Sequence, residues 1–167
     1  MVFGETVLNK FAIHACNVIV ILGLAACSEA RRDPCQLLTV QDVQSVDNTV
    51  STSIWAGRDG ERKVDEVCVF SNNDGFPRVM LFVWYDNDND PKSLVIKGAA
   101  DSSAMIVELP EIGPEAAGSF VDNELGLLAV RSAQGVVGLR VKKPVQKNSA
   151  EFIEIVQLAE KALSRNH

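Results

Sequence analysis

The sequence predicts an α+β domain, with helices packed on an antiparallel sheet of about five or six strands in the order α-β-β-β-α-(β)-β-β-α. Three observations point there. Short segments of alternating polarity recur between turn-forming residues. One of them, residues 78–85, is apolar on both alternating sets, Val79, Leu81, Val83 and Met80, Phe82, Trp84, which places it centrally in the sheet. Near the C-terminus, Phe152, Ile155, Val156, Ala159, Ala162 and Leu163 recur at helical spacing on one face.

The first helix starts at Leu38-Thr39. Thr39 can cap the open amides, Asp42 completes a capping box, and Leu38 can pack on Val43 as a staple. This helix is expected to end near residues 46–48. Residues 49–55 alternate and are rich in β-formers, so they read as a strand; residues 57–60 make a turn, and residues 63–71 a second strand. Asn72-Asn73-Asp74-Gly75 tolerates positive φ and suits a hairpin. Asp90-Pro91 reads as a cap followed by proline at the first helical position, opening a helix to about Ala100. Residues 105–109 suggest a short strand. Residues 110–123, rich in Gly, Pro and acids, read as irregular. Residues 125–132 and 136–141 form a second hairpin around Gln134-Gly135. The last helix covers residues 149–165, with Asn148 and Glu151 as its capping box and Lys161 and Arg165 complementing its dipole. Gly126 and Gly138 suit a bulge or close packing better than phosphate binding.

Ahead of this domain, an apolar run from about Phe11 to Ala26 is interrupted by His14 and Asn17. A spanning helix needs about 20 mostly apolar residues; a cleaved signal needs only about 7–15 before small residues. The run ends in Leu24-Ala25-Ala26-Cys27-Ser28, which resembles the lipobox of bacterial lipoproteins. That resemblance implies cleavage before Cys27 and acylation, palmitate included, at that cysteine. The expected organisation is a signal peptide over residues 1–26, a lipid-anchored tether over 27–33 and one domain over 34–167. Ser28 follows the cysteine, where no Asp stands, which resembles signals passed to an outer membrane in hosts with two membranes.

With Cys16 in the leader and Cys27 lipidated, Cys35 and Cys68 remain as an even pair in an exported chain, and a disulfide between them is expected. No thiolate is then left as nucleophile. His14 departs with the leader, and His167 is the final residue, so Ser-His-Asp, Cys-His and histidine-zinc chemistry are poorly supported. A net charge of −6 argues against a nucleic-acid partner.

Asp33-Pro34-Cys35-Gln36-Leu37-Leu38-Thr39, with Asp42-Val43 downstream, resembles the opening of small secreted lipoproteins of unknown function from actinobacteria. Cys68-Val69-Phe70, Gly113-Pro114-Glu115-Ala116 and Leu158-Ala159-Glu160-Lys161-Ala162-Leu163 extend the likeness over most of the mature chain. The resemblance implies the disulfide and the α+β layout, and no activity.

Few residues suggest a site. Asp86-Asn87-Asp88-Asn89-Asp90 alternates oxygen donors, and Asp86, Asp88 and Asp90 are the candidates for calcium. An EF-hand needs Gly at its sixth position and Glu at its twelfth, where Pro91 and Lys97 stand, so capping and a solvated turn account for the run and no metal or cofactor is assigned. Phe76 in a turn and Phe120 in the irregular stretch are candidates for a ligand or partner surface, whereas the strand pattern of Trp84 reads as core. The acid pairs Glu61/Glu66 and Asp122/Glu124 have no spacing that links them to a cleft. The expected function is that of a lipid-anchored cell-envelope module, non-catalytic, binding another envelope protein or a small ligand. A carboxylate-dependent envelope enzyme such as a hydrolase and a purely structural surface lipoprotein are the alternatives.

Overall fold

In the computed structural model, which describes residues 33–56, 66–85, 89–99 and 103–166, seven strands form one antiparallel sheet. They are β1 (Val50–Trp55), β2 (Glu66–Asn72), β3 (Pro77–Trp84), β4 (Met105–Glu108), β5 (Ala116–Val121), β6 (Glu124–Ser132) and β7 (Gly135–Val141), in the spatial order β1-β2-β3-β7-β6-β5-β4. Two meanders, β1–β3 and β4–β7, meet where β3 pairs with β7 from Val79 opposite Val141 to Trp84 opposite Val136. Among the described residues there are also a 3-10 turn (Pro34–Gln36) and three helices: α1 (Val40–Val43), α2 (Pro91–Gly98) and α3 (Ala150–Arg165).

Seven strands replace the expected five or six, and the stretch expected to be irregular holds β5. Ala116, Ala117, Gly118 and Ser119 are all buried, so this strand shows no polar alternation, and its small residues resemble a loop. Its strand character comes from ladders with β4 on one side and β6 on the other. Turn chemistry explains the tight connections. Asp122 (φ 49) and Asn123 (φ 68) both adopt left-handed backbone between β5 and β6, as two-residue hairpins require. At Gly135 (φ 137) a Cβ would stand 1.9 Å from the Trp84 carbonyl oxygen, so only glycine fits.

Helix ends follow local rules. The Thr39 hydroxyl accepts from Asp42 N (3.2 Å) while the Asp42 carboxylate accepts from Thr39 N (2.9 Å), the expected reciprocal box. At α3 the cap is Ser149, accepting from Phe152 N, and the expected Asn148–Glu151 box does not form; Asn148 turns the chain with φ 65.

On one face of the sheet α3 places Phe152, Ile155, Leu158, Ala159 and Ala162 over Phe70, Val79, Leu81, Val83, Leu128 and Leu139. Leu37, Leu38, Val43 and Val46 close the same core. The Cys35–Cys68 disulfide ties the 3-10 turn to β2 beneath it, with 5.1 Å between Cα atoms. Asp42 then ties α1 to α3, contacting Lys161 Nζ at 2.5 Å and Arg165 Nη1 at 2.6 Å, while Arg165 also donates to Leu37 O. Burial pushes the Asp42 carboxyl up, but the Lys161, Thr39 and Arg165 contacts hold it well below the usual carboxylate range.

Candidate functional site

Directly opposed residues of an antiparallel pair point to the same side of the sheet. Away from α3, one such row reads Ile54, Val69, Met80, Arg140, and the next Val67, Phe82, Gly138, Ala129. Helix α2 covers only part of this face. Its Leu94 and Val95 pack on Trp84, Ala117, Leu127, Ala129 and Val136. Over β1 to β3 no described helix lies on these rows. Ile54 is 63% exposed, and Val67, Val69, Met80 and Phe82 are half-buried. Four neighbouring strands make this open surface about 14 Å across.

Its border is built by packing at the end of α2. Phe82 stacks on Trp84, with centroids 5.5 Å apart and planes 15° from parallel. The Trp84 ring lies over Gly138, where a Cβ would approach ring carbon Cζ3 to 2.5 Å. The Arg140 guanidinium stands 5.9 Å from the Phe82 centroid and donates to the carbonyl of Gly98, the last residue of α2. The result is a flat apolar surface with one cation and an aromatic ring at its edge. Its chemistry is suited to binding an apolar or aromatic group.

A concavity of about 480 Å³ lies between the turn before β1, the start of β3 and the N-terminus of α3. Here the buried Asp47 accepts from Thr49 N and Oγ1 (3.0 and 2.6 Å) and from Arg78 Nε (2.9 Å), and Lys143 Nζ donates to Val46 O (2.6 Å). Burial raises the Asp47 carboxyl, yet the Thr49 and Arg78 contacts win and hold it below its ordinary value. The Asp47 and Arg78 charges are spent on one another, and Lys143 on a backbone carbonyl. The concavity is a structural bracket.

The structure separates the two aromatic candidates. Phe76 is 66% exposed in the β2–β3 turn, as a partner surface requires. Phe120 is 1% exposed and meets Phe152 of α3 at 6.0 Å. Because residues 116–121 form a paired strand, Phe120 faces the core, and the expected Phe76–Phe120 surface is corrected. Asp90 serves as the cap of α2, accepting from Ser93 N and Oγ at 2.9 Å each; those bonds hold its carboxyl below the ordinary value. Asp86, Asp88 and Glu61 lie outside the described residues, as does the lipidation candidate Cys27. Glu66 is buried at the start of β2, Asp122 lies in the β5–β6 turn, and Glu124 opens β6. Gly126 sits where the β5–β6 register slips, with Ser119 Oγ accepting from Leu127 N, which agrees with the expected bulge.

Sequence reasoning missed the open face itself. Met80, Val69 and Val67 carry an apolar pattern identical to that of a covered strand, and only the position of α2 leaves them uncovered. Among the described residues no helix is long and apolar enough to cross a membrane, and no three His, Cys, Asp or Glu are grouped to hold a metal. No protein-family model matches the chain, and neither a curated protein nor a solved structure is similar to it.

Proposed function

We propose that this chain is a lipid-anchored protein of the cell envelope whose domain works by binding, as an accessory module without catalysis. The lipobox-like Leu24–Cys27 segment and the actinobacterial lipoprotein likeness of Asp33 to Thr39, with Asp42-Val43 downstream, support the location. The observation that carries the binding role is the uncovered apolar surface of Val67, Val69, Met80 and Phe82, beside the Arg140 cation. Apolar patches kept open on a folded monomer commonly mark sites of interaction. The occupant suited to this surface is an apolar or aromatic group, from a small ligand or from another envelope protein.

The test is made in the native envelope. A photo-crosslinking residue is placed at Met80 and, as a control, at the exposed Glu160 of α3. A discrete adduct from position 80 and none from position 160, on a mature product whose intact mass begins at an acylated Cys27, is the expected result. An unprocessed chain starting at Met1 would remove the anchor. Equal or absent adducts at both positions would remove the binding surface.

A further inference from the structure

The two edges of the sheet are built differently. At the outer edge of β4, four residues long, Glu108 makes an ion pair with Lys92 at 2.7 Å. At the other edge, β1 is Val50-Ser51-Thr52-Ser53-Ile54-Trp55, with no charge, no proline and no glycine. Folded proteins ordinarily guard such edges with charges or proline, because a bare edge templates the pairing of another strand. Residues 52 to 56 are all exposed, Ile54 by 63% and Trp55 by 48%.

The orientation of the free backbone groups follows from the ladder. Ala56 N donates to Val67 O at 2.9 Å, so residues 54 and 52 are the other β1 positions bonded to β2, by antiparallel alternation. Ser53 and Trp55 therefore turn their N–H and C=O groups away from the sheet.

We propose that this edge is a self-association surface, at which β1 pairs antiparallel with β1 of a second copy about a twofold axis at Ile54. In that register Ser53 lies opposite Trp55 of the partner subunit and Trp55 opposite Ser53 of the partner subunit. Ser53 and Trp55 of each copy then exchange N–H···O bonds across the twofold. Ile54 meets Ile54 of the partner subunit in the close, non-hydrogen-bonded position, covering the apolar side chain that β1 leaves most exposed. Charge favours the same site. Two chains of net charge −6 repel each other, and the uncharged β1 is where their surfaces meet without like charges opposed. A twofold pairing also closes on itself and leaves only the guarded β4 edges outside.

Sedimentation velocity of the full chain, with detergent micelles in excess over protein, tests this against Ile54→Lys, Ile54→Glu and their equimolar mixture. The wild type is expected to dimerise with rising concentration. Each variant alone places like charges face to face and weakens the dimer by at least about tenfold; the mixture restores it. Amide exchange at Ser53 and Trp55 in the wild type slows as the dimer fills, a readout that does not depend on any variant folding. A wild type that stays monomeric, variants that dimerise as it does, or a mixture that fails to re-associate would each overturn the proposal.

Discussion

The two faces of the sheet carry similar apolar side chains and bury them to different extents. On the α3 face, Val79, Leu81 and Val83 of β3 are fully buried beneath Ile155 and Leu158. On the other face of the same strand, Met80 and Phe82 remain half-buried, and only Trp84 is covered by α2. A helix of sixteen residues with an N-terminal partner segment closes one face; a helix of eight closes part of the other. Apolar composition therefore marks where burial is available, and the length and placement of the covering helix decide whether it is used.

The largest effect that separates the faces is a core truncation. Leu81→Ala should cost about 3–5 kcal/mol, because the cavity it leaves is enclosed. Met80→Ala, one residue away on the open face, should cost less than about 1 kcal/mol, since solvent already reaches it. Urea midpoints of the two variants measure the difference, and equal losses would mean that the open face is covered in solution. Replacing Cys35 and Cys68 together by alanine should loosen the α3 face, in whose core the bridge lies, and lower the urea midpoint. The closed loop spans 33 residues, for which chain entropy predicts a loss of about 3–4 kcal/mol. Gly138→Ala probes the boundary of the open face by forcing a methyl against the Trp84 ring, at a cost of about 1–3 kcal/mol, with altered near-ultraviolet dichroism from the displaced indole.

For Asp42→Asn the expected loss is about 1–2 kcal/mol at neutral pH. The Asp42 carboxyl is held below the unfolded value of 3.8, so the folded state binds fewer protons than the unfolded one. The stabilisation is present above about pH 4 and lost as the pH falls below it. Melting curves from pH 7 to pH 2 should show the wild type losing stability faster than Asp42→Asn, so that the two converge in acid. A constant gap across that range would show that the ion pairs with Lys161 and Arg165 contribute nothing.

Much of the fold is legible where a residue's role is decided by its neighbours in the chain. The Thr39–Asp42 box, the Asp90-Pro91 start of α2, the Gly75 turn (φ 78) and the apolar stripe of α3 all depend on contacts a few residues away. Residues 116–121 were illegible for the opposite reason. Ala116 to Ser119 have no polar alternation of their own, and only β4 and β6 make them a strand. Phe120 was misplaced with them, and the edge chemistry of β1 was visible only once no described strand was found to pair with its outer side.

By itself the sequence determined the α+β class, the Thr39 and Asp90 caps and the turns at Gly75 and Gly135, because capping and periodicity are properties of the local chain, and it anticipated the pairing of Cys35 with Cys68. Tertiary structure alone decided the seventh strand, the burial of Phe120 and the half-covered face around Met80. Those depend on which distant element lands on a surface, and an apolar residue has the same pattern in the chain whether a helix or solvent lies over it.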